Sequence, residues 1–402
     1  MRIAIINTGG TISCVGTPLA PMSATEFADA AQRLIVPSIH AEFPTIELDF
    51  ITDLRFAASA QGTLDSTNLQ PRDWCVLAER ILADYNTHDG WVILHGTDSM
   101  AYTASALPFL LTSFAADGSP TAALDKPVIL TGSQVPLFIE DAADGTLALR
   151  FNTDAFQNLC AAIESAAMQV PEVAVAFRGR LFRGARVLKT DASQDDAFDS
   201  PNFPPLATFG INTRTDADLV LPAPDATIAL SSLGVRERVQ ERLVHIADRI
   251  DGAAVVPLSA FPASVTPGGP SFLAQIVDAI VATGARALVL SSYGAGNFPS
   301  GNADDPAQGA IARAITAASD AGVLVVNASQ VLAGTVDDAV YAAGSWMHAA
   351  GAIGIGDMTA VAAFAKTTVL LAAEGWTDEA EGTQPSARDL VPRNLLGEVT
   401  PR

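Results

Sequence analysis

Ile3-Ala4-Ile5-Ile6, Trp91-Val92-Ile93-Leu94 and Val128-Ile129-Leu130 are apolar at every position rather than at alternate ones. A strand with one wet face alternates, so strands of this kind must be covered on both sides. Each run leads into a longer alanine-rich stretch of helical period. That order predicts an α/β fold, a mostly parallel sheet between two layers of helices. Strands are expected at 2–6, 46–51, 90–94, 127–130 and 173–177, and helices at 23–34, 71–85, 100–114 and 152–167. Ser23 with Glu26 three residues on reads as a capping box, and Pro71 suits a first helical turn.

At 402 residues the chain exceeds what one core usually fills. A polar stretch with scattered prolines then precedes a second α/β pattern, with strands at 253–258, 287–290 and 323–326 and helices at 272–283, 306–321 and 359–372. The expected organisation is a larger N-terminal α/β domain over 1–205, a linker or extension over 206–250, and a smaller C-terminal α/β domain over 251–402.

A formal charge of −21 argues against nucleic acid or an anionic membrane as partner. No run of about 18 apolar residues is present, so no spanning helix is expected. Cys14, Cys75 and Cys160 are widely spaced and form no CxxC pair, which suits a reducing compartment and, with no leader-like apolar run after Met1, the cytoplasm. Lysine occurs only at 126, 189 and 366.

Three predicted strands end in polar glycine loops. Thr8-Gly9-Gly10-Thr11 follows the first, His95-Gly96-Thr97-Asp98 the third, and Thr131-Gly132-Ser133-Gln134 the fourth. In a parallel sheet these ends lie side by side, and ligands bind beyond them. Glycine lets backbone approach a ligand closely, and threonine supplies a hydroxyl that becomes a nucleophile only with a base or proton relay. Asp98 is the carboxylate next to Thr97 in sequence. If it is buried it needs a cation, and Lys189 in Val187-Leu188-Lys189-Thr190-Asp191 is a candidate. His95 reads more simply as a structural histidine than as a catalyst, and Asp98 alone as a helix cap. There is no GxSxG elbow, no HExxH and no histidine spacing for a metal.

Thr8-Gly9-Gly10-Thr11-Ile12 and His95-Gly96-Thr97-Asp98-Ser99-Met100, about 85 residues apart, resemble the two signature motifs of the bacterial asparaginase/glutaminase family. Leu64-Asp65-Ser66-Thr67-Asn68-Leu69 resembles its substrate-carboxylate loop. Segments 126–134 and 200–202 match as well, and 292–297 and 397–401 are similar to the type I, cytoplasmic branch. The resemblance implies hydrolysis of a side-chain amide, asparagine first, to carboxylate and ammonia, without metal or cofactor. It implies homodimers or homotetramers with active sites near subunit contacts.

Residue by residue, the resemblance makes Thr11 the nucleophile and Thr97, Asp98 and Lys189 its proton relay. Ser66, with Thr67 in the same loop and backbone at Gly10 and Gly96, would hold the substrate's α-carboxylate. Thr97 and Ser133 would place the amide. The family's mobile loop usually carries a tyrosine; here that loop, 13–21, offers Leu19 at about that place. Some type I members bind an effector through an arginine and a cysteine whose places here hold Ser291 and Val331, so no such pocket is expected. Hydrolysis of another small amide, a binding protein on the same scaffold, and an amidotransferase subunit working with RNA are the alternatives. The acidic charge speaks against the last.

Overall fold

The computed structural model describes residues 1–141, 144–265, 271–337, 342–378, 382–383 and 385–401. The chain divides into two compact units, Met1–Ser113 with Thr121–Leu243, and Phe114–Pro120 with Val244–Arg402.

The first unit is built on eight strands: β1 (Arg2–Asn7), β2 (Glu47–Ile51), β3 (Gly90–Leu94), β4 (Val128–Thr131), β5 (Val173–Phe177), β6 (Arg180–Arg183), β7 (Ala207–Thr208) and β8 (Arg214–Thr215). Their order is β8-β7-β6-β5-β4-β3-β1-β2. The five strands from β2 to β5 in that order run parallel, and the remaining three add antiparallel. Ile5 of β1 pairs with Phe50 on one side and Val92 on the other.

Every residue of β3, β4 and β5 is buried, as their unbroken apolar runs require. One face carries Ile3, Ile5, Val92, Leu94 and Ile129 against helices α1 (Ala24–Leu34) and α4 (Ala155–Ala167), through Phe27, Ala31, Leu159 and Ile163. The other face holds Ala4, Ile6, Trp91, Ile93 and Leu130, also buried, with α3 (Met100–Leu110) on the sheet and α2 (Pro71–Ala83) packed on α3. Each fully buried large aliphatic side chain contributes about 1.5–3 kcal/mol. The capping box of α1 forms as read, with Glu26 N–H donating to Ser23 Oγ and Ser23 N–H to Glu26 Oε2.

The stretch 206–250, expected as a linker or extension, holds β7, β8 and the helix α5 (Leu233–Ala247). Val235, Val239, Leu243 and Ile246 form a buried helical stripe, but Arg236 and Arg242 are buried beside it. Arg242 donates to Phe109 O at 3.2 Å and Arg236 to Leu230 O at 3.0 Å. Two inward-facing cations interrupt the apolar period that would announce a helix.

The second unit is a parallel sheet of β9 (Val255–Ser259), β10 (Ala287–Ser292), β11 (Leu324–Ser329) and β12 (Ile353–Gly354) in sequential order. Its helices include α6 (Phe272–Ala282), α7 (Ala310–Asp320) and α8 (Ala360–Ala373). Lys366 of α8 is fully buried and paired with the equally buried Glu398. The two units are thus a larger, mostly parallel α/β domain and a smaller parallel-sheet one.

Candidate active site

In the first sheet the chain reverses direction of growth between β1 and β3, which are neighbours although β2 intervenes in sequence. Such a switch point leaves a crevice beyond the carboxyl ends of the two strands. The Thr8–Thr11 and His95–Asp98 loops are what follow those two strands.

The first loop is held from both sides. Thr8 donates both its N–H and its hydroxyl to Leu94 O, each at 2.9 Å. Leu64 N–H donates to Thr8 O at 2.8 Å and Gly10 N–H to Leu64 O at 3.2 Å, which stitches the 64–69 loop alongside. Gly9 and Gly10 have φ of +114° and +78°. A Cβ on Gly9 would lie 2.1 Å from Leu64 O, and one on Gly10 2.2 Å from Gly96 Cα. Both positions therefore need glycine, for conformation and for space.

The same close packing seats Ser66. A Cβ on Gly96 would lie 2.4 Å from Ser66 Oγ, so Gly10, Gly96 and Ser66 meet. Ser99 Oγ donates to Ser66 O at 2.7 Å and fixes that loop to the start of α3. Thr67, by contrast, is exposed, and its hydroxyl donates to Asp65 Oδ1 at 3.0 Å.

Thr11 opens a single 3₁₀ turn, Thr11–Ser13. Among the described residues its hydroxyl makes no hydrogen bond, and its N–H and that of Thr97 have no acceptor. Lys189 sits on a two-residue strand, Leu188–Lys189, paired with Phe198–Asp199. Its Nζ donates to Thr97 Oγ1 at 2.9 Å and to Asp98 Oδ1 at 2.7 Å. Thr97 is buried, but Asp98 is 57 % exposed at its side chain. Asp98 thus has the cation that burial would have demanded without being buried itself. Lys189, at 21% side-chain exposure, is the more enclosed partner of the pair.

His95 is fully buried, with Nδ1 on Gly96 O at 2.7 Å and Nε2 on Thr103 Oγ1 at 2.9 Å. Burial drives its pKa down to about 4. Cys14, under the same loop, donates its thiol to Gly10 O at 3.2 Å. Burial, aided by the nearby Asp65 charge, pushes that thiol up to about 11, so it is no nucleophile. Among the described residues no three His, Cys, Asp or Glu side chains come together to hold a metal ion. No described helix is long and apolar enough to cross a membrane.

The third loop brings Gly132 against the second: a Cβ there would lie 2.4 Å from His95 O and 3.3 Å from Thr97 Cγ2. Ser133 is fully buried and its hydroxyl donates to Val135 O at 2.7 Å. Its proton is therefore committed, and only acceptor capacity remains for a ligand. Two residues that hold this loop escaped the sequence reading. Asp154 accepts from Gln134 N–H and Val135 N–H, both at 3.0 Å. Asn158 donates to Gly132 O at 3.0 Å. Asp154 precedes α4 and is its N-cap in position, but its side chain does not cap the helix. An Asp and an Asn four apart on a first helical turn share one face; that spacing was the available signal.

With this geometry in view, a family model described as "Asparaginase, N-terminal" matches residues 2–220, and one described as "Glutaminase/Asparaginase C-terminal domain" matches 264–382. The chain belongs to the asparaginase family. It is 35% identical over 402 residues to L-asparaginase 1 of Escherichia coli K12, covering 99% of this chain and 98% of that one. The crystal structure of L-asparaginase I from Vibrio cholerae superposes with a TM-score of 0.70 at 29% identity, over 99% of both chains. A human relative named 60 kDa lysophospholipase is 31% identical over 342 residues, 85% of this chain and 49% of that one. The protein is accordingly an asparaginase-type amidohydrolase of the asparaginase fold.

Proposed function

We propose that this asparaginase-family protein hydrolyses L-asparagine to L-aspartate and ammonia, with Thr11 as nucleophile and Thr97, Asp98 and Lys189 as its relay. The observation that carries the reading is the bridge from Lys189 Nζ to both Thr97 Oγ1 and Asp98 Oδ1. A lysine ammonium only donates, so Thr97 Oγ1 accepts from it and keeps its own proton mobile. In the acylation step Thr11 Oγ bonds to the amide carbon. Lys189 first hands a proton to Asp98 and becomes a neutral amine with a lone pair; the Thr11 proton then passes to Thr97 Oγ1 as the Thr97 hydroxyl proton turns to Lys189 Nζ. The chain then runs backwards to protonate the departing nitrogen, which leaves as ammonia. Water cleaves the resulting ester by the same route. Proton transfer of this kind is worth about 10²–10⁴-fold.

The unoccupied N–H groups of Thr11 and Thr97 supply donors for the oxyanion of the tetrahedral intermediate, each worth about 10²–10³-fold. Ser66, with backbone at Gly96, takes the substrate's α-carboxylate, and Ser133 borders the amide end; the Gly10 N–H is held by Leu64 O and both Thr67 donors by Asp65 Oδ1, so these two residues shape the loop. The protein acts without metal or cofactor as a cytoplasmic homodimer or homotetramer, with neither nucleic acid nor membrane as partner.

A second reading rests on Leu19. It is 52% exposed on a hairpin of Cys14–Val15 and Ala20–Pro21, where the family's lid offers a phenol. A lid without that group permits hydrolysis of a different small amide. Ammonia release from asparagine, glutamine and a panel of small amides separates the two, with Thr11→Ala and Lys189→Met as controls. Turnover that survives Thr11→Ala unchanged removes the nucleophile assignment.

A further inference from the structure

His95 is completely buried, and its two ring nitrogens are both used. A carbonyl oxygen only accepts, so the proton between His95 and Gly96 O belongs to Nδ1. Nε2 is then the lone-pair side and takes the Thr103 hydroxyl. Thr103 is itself fully buried on α3, so the tautomer and the ring plane are fixed from the core. Burial keeps the ring neutral across the working range, its pKa being down at about 4.

The consequence falls on the next peptide unit. Gly96 C=O and Thr97 N–H belong to one planar trans group and point in opposite directions. Pinning the carbonyl to the buried ring turns the N–H away from it. That N–H has no acceptor among the described residues. The unit cannot drift sideways, because Gly10, Ser66 and Gly132 close on it at the distances given above. His95 N–H also donates to Thr131 O at 2.8 Å, which anchors the residue to the adjoining strand.

We infer that His95 is a positioning residue for the reaction: by holding Gly96 O through Nδ1–H, it aims the Thr97 N–H at the amide oxygen that becomes negative during attack. The inference rests on the proposed amide hydrolysis. It adds a buried, non-ionising histidine to the machinery and gives it an electrostatic purpose rather than an acid–base one. A preoriented donor works on the transition state more than on the ground state, so loss of His95 separates turnover from binding.

The test compares His95→Leu, which removes the donor, with His95→Asn, whose side-chain amide reaches about where Nδ1 lies. Ammonia release from asparagine gives kcat and KM, calorimetry gives the affinity for L-aspartate, and thermal melting reports the fold. His95→Leu is expected to lower kcat about 10²-fold with aspartate affinity within about threefold, and His95→Asn to recover at least about tenfold of that loss. A kcat within about threefold of wild type in His95→Leu overturns the inference. So does an equal loss in both variants that follows the fall in melting temperature. If His95→Leu does not fold, Thr103→Val carries the test, since it frees Nε2 and releases the ring. A drop in kcat at unchanged aspartate affinity supports the role, and an unchanged kcat overturns it. A wild-type protein inactive on every small amide sinks the hydrolase reading and this inference together, whereas an active one indifferent to His95 sinks this inference alone.

Discussion

Lys189 donates a hydrogen bond to the hydroxyl of Thr97 across 92 positions of sequence, at 2.9 Å. The two residues come from a short strand pair and a β3–α3 turn that share no local signal. Only the fold makes them neighbours. Lys189→Met keeps the length of the side chain and removes its proton chemistry. The expected result is a loss of about 10³-fold in kcat on asparagine, the middle of the general acid–base range. The melting temperature should hardly move, since a half-exposed ion pair contributes little to stability. Steady-state ammonia assays and a thermal scan check both parts. A large fall in melting temperature would mean that Lys189 is a structural strut.

The hairpin next to Thr11 lacks a phenol. Leu19→Tyr should raise kcat for asparagine, by up to about 10²-fold, the lower end of what a positioned proton-transfer group supplies. The comparison is one of initial rates at saturating asparagine. No gain would mean that position 19 does not come over the nucleophile, or that another group already fills the role.

Asp154 holds the Gln134 and Val135 amides that shape the third loop. Burial pushes its carboxyl up, against the pull of those two N–H donors. Asp154→Ala leaves two backbone donors without their acceptor, and each such group costs about 1–3 kcal/mol. Urea unfolding should report a loss of about 2 kcal/mol or more, and kcat/KM for asparagine should fall as the Gly132–Ser133 segment loosens. Unchanged stability would show that water satisfies those amides and that the loop is held elsewhere.

Much of this arrangement could be read from sequence, and the exceptions have physical causes. The fully apolar runs announced the buried parallel strands, and the glycine turns at their ends announced the crevice, because both are local in sequence. What was not legible depends on side chains turning away from their local preference. Asp154 sits where an aspartate normally caps its own helix and instead serves another loop. Ser133 offers a hydroxyl on paper and commits its proton to Val135 O. The helix over 233–247 was hidden by Arg236 and Arg242 on its inner side.

The buried pair in the second unit gives a prediction about stability alone. Lys366 Nζ donates to Glu398, to Val391 O at 3.0 Å and to Arg393 O at 2.6 Å. Glu398 also accepts from Leu396 N–H at 2.7 Å. Burial pushes the Glu398 carboxyl up, but the Lys366 ammonium and the backbone donor together hold it below its ordinary value. A carboxyl depressed in the folded state adds stability above its unfolded pKa of about 4.3 and loses it as pH falls through the lower folded value. Glu398→Ala should cost about 3–5 kcal/mol at neutral pH by leaving a buried cation uncompensated. It should also remove this group's share of the acid-side slope. Replacing both residues by methionine should restore much of the loss. Urea titrations at pH 7 and pH 4 decide it, and a single variant as stable as wild type would contradict the assignment.

The central claim is that Thr11 attacks the amide, and the most direct measurement is ammonia release from L-asparagine by wild-type and Thr11→Ala protein matched for folded concentration. Steady release by the wild type is expected, with a rate at least about 10³-fold lower in Thr11→Ala, since removing a nucleophile leaves only binding and oxyanion donors. Release by Thr11→Ala at the wild-type rate would contradict it.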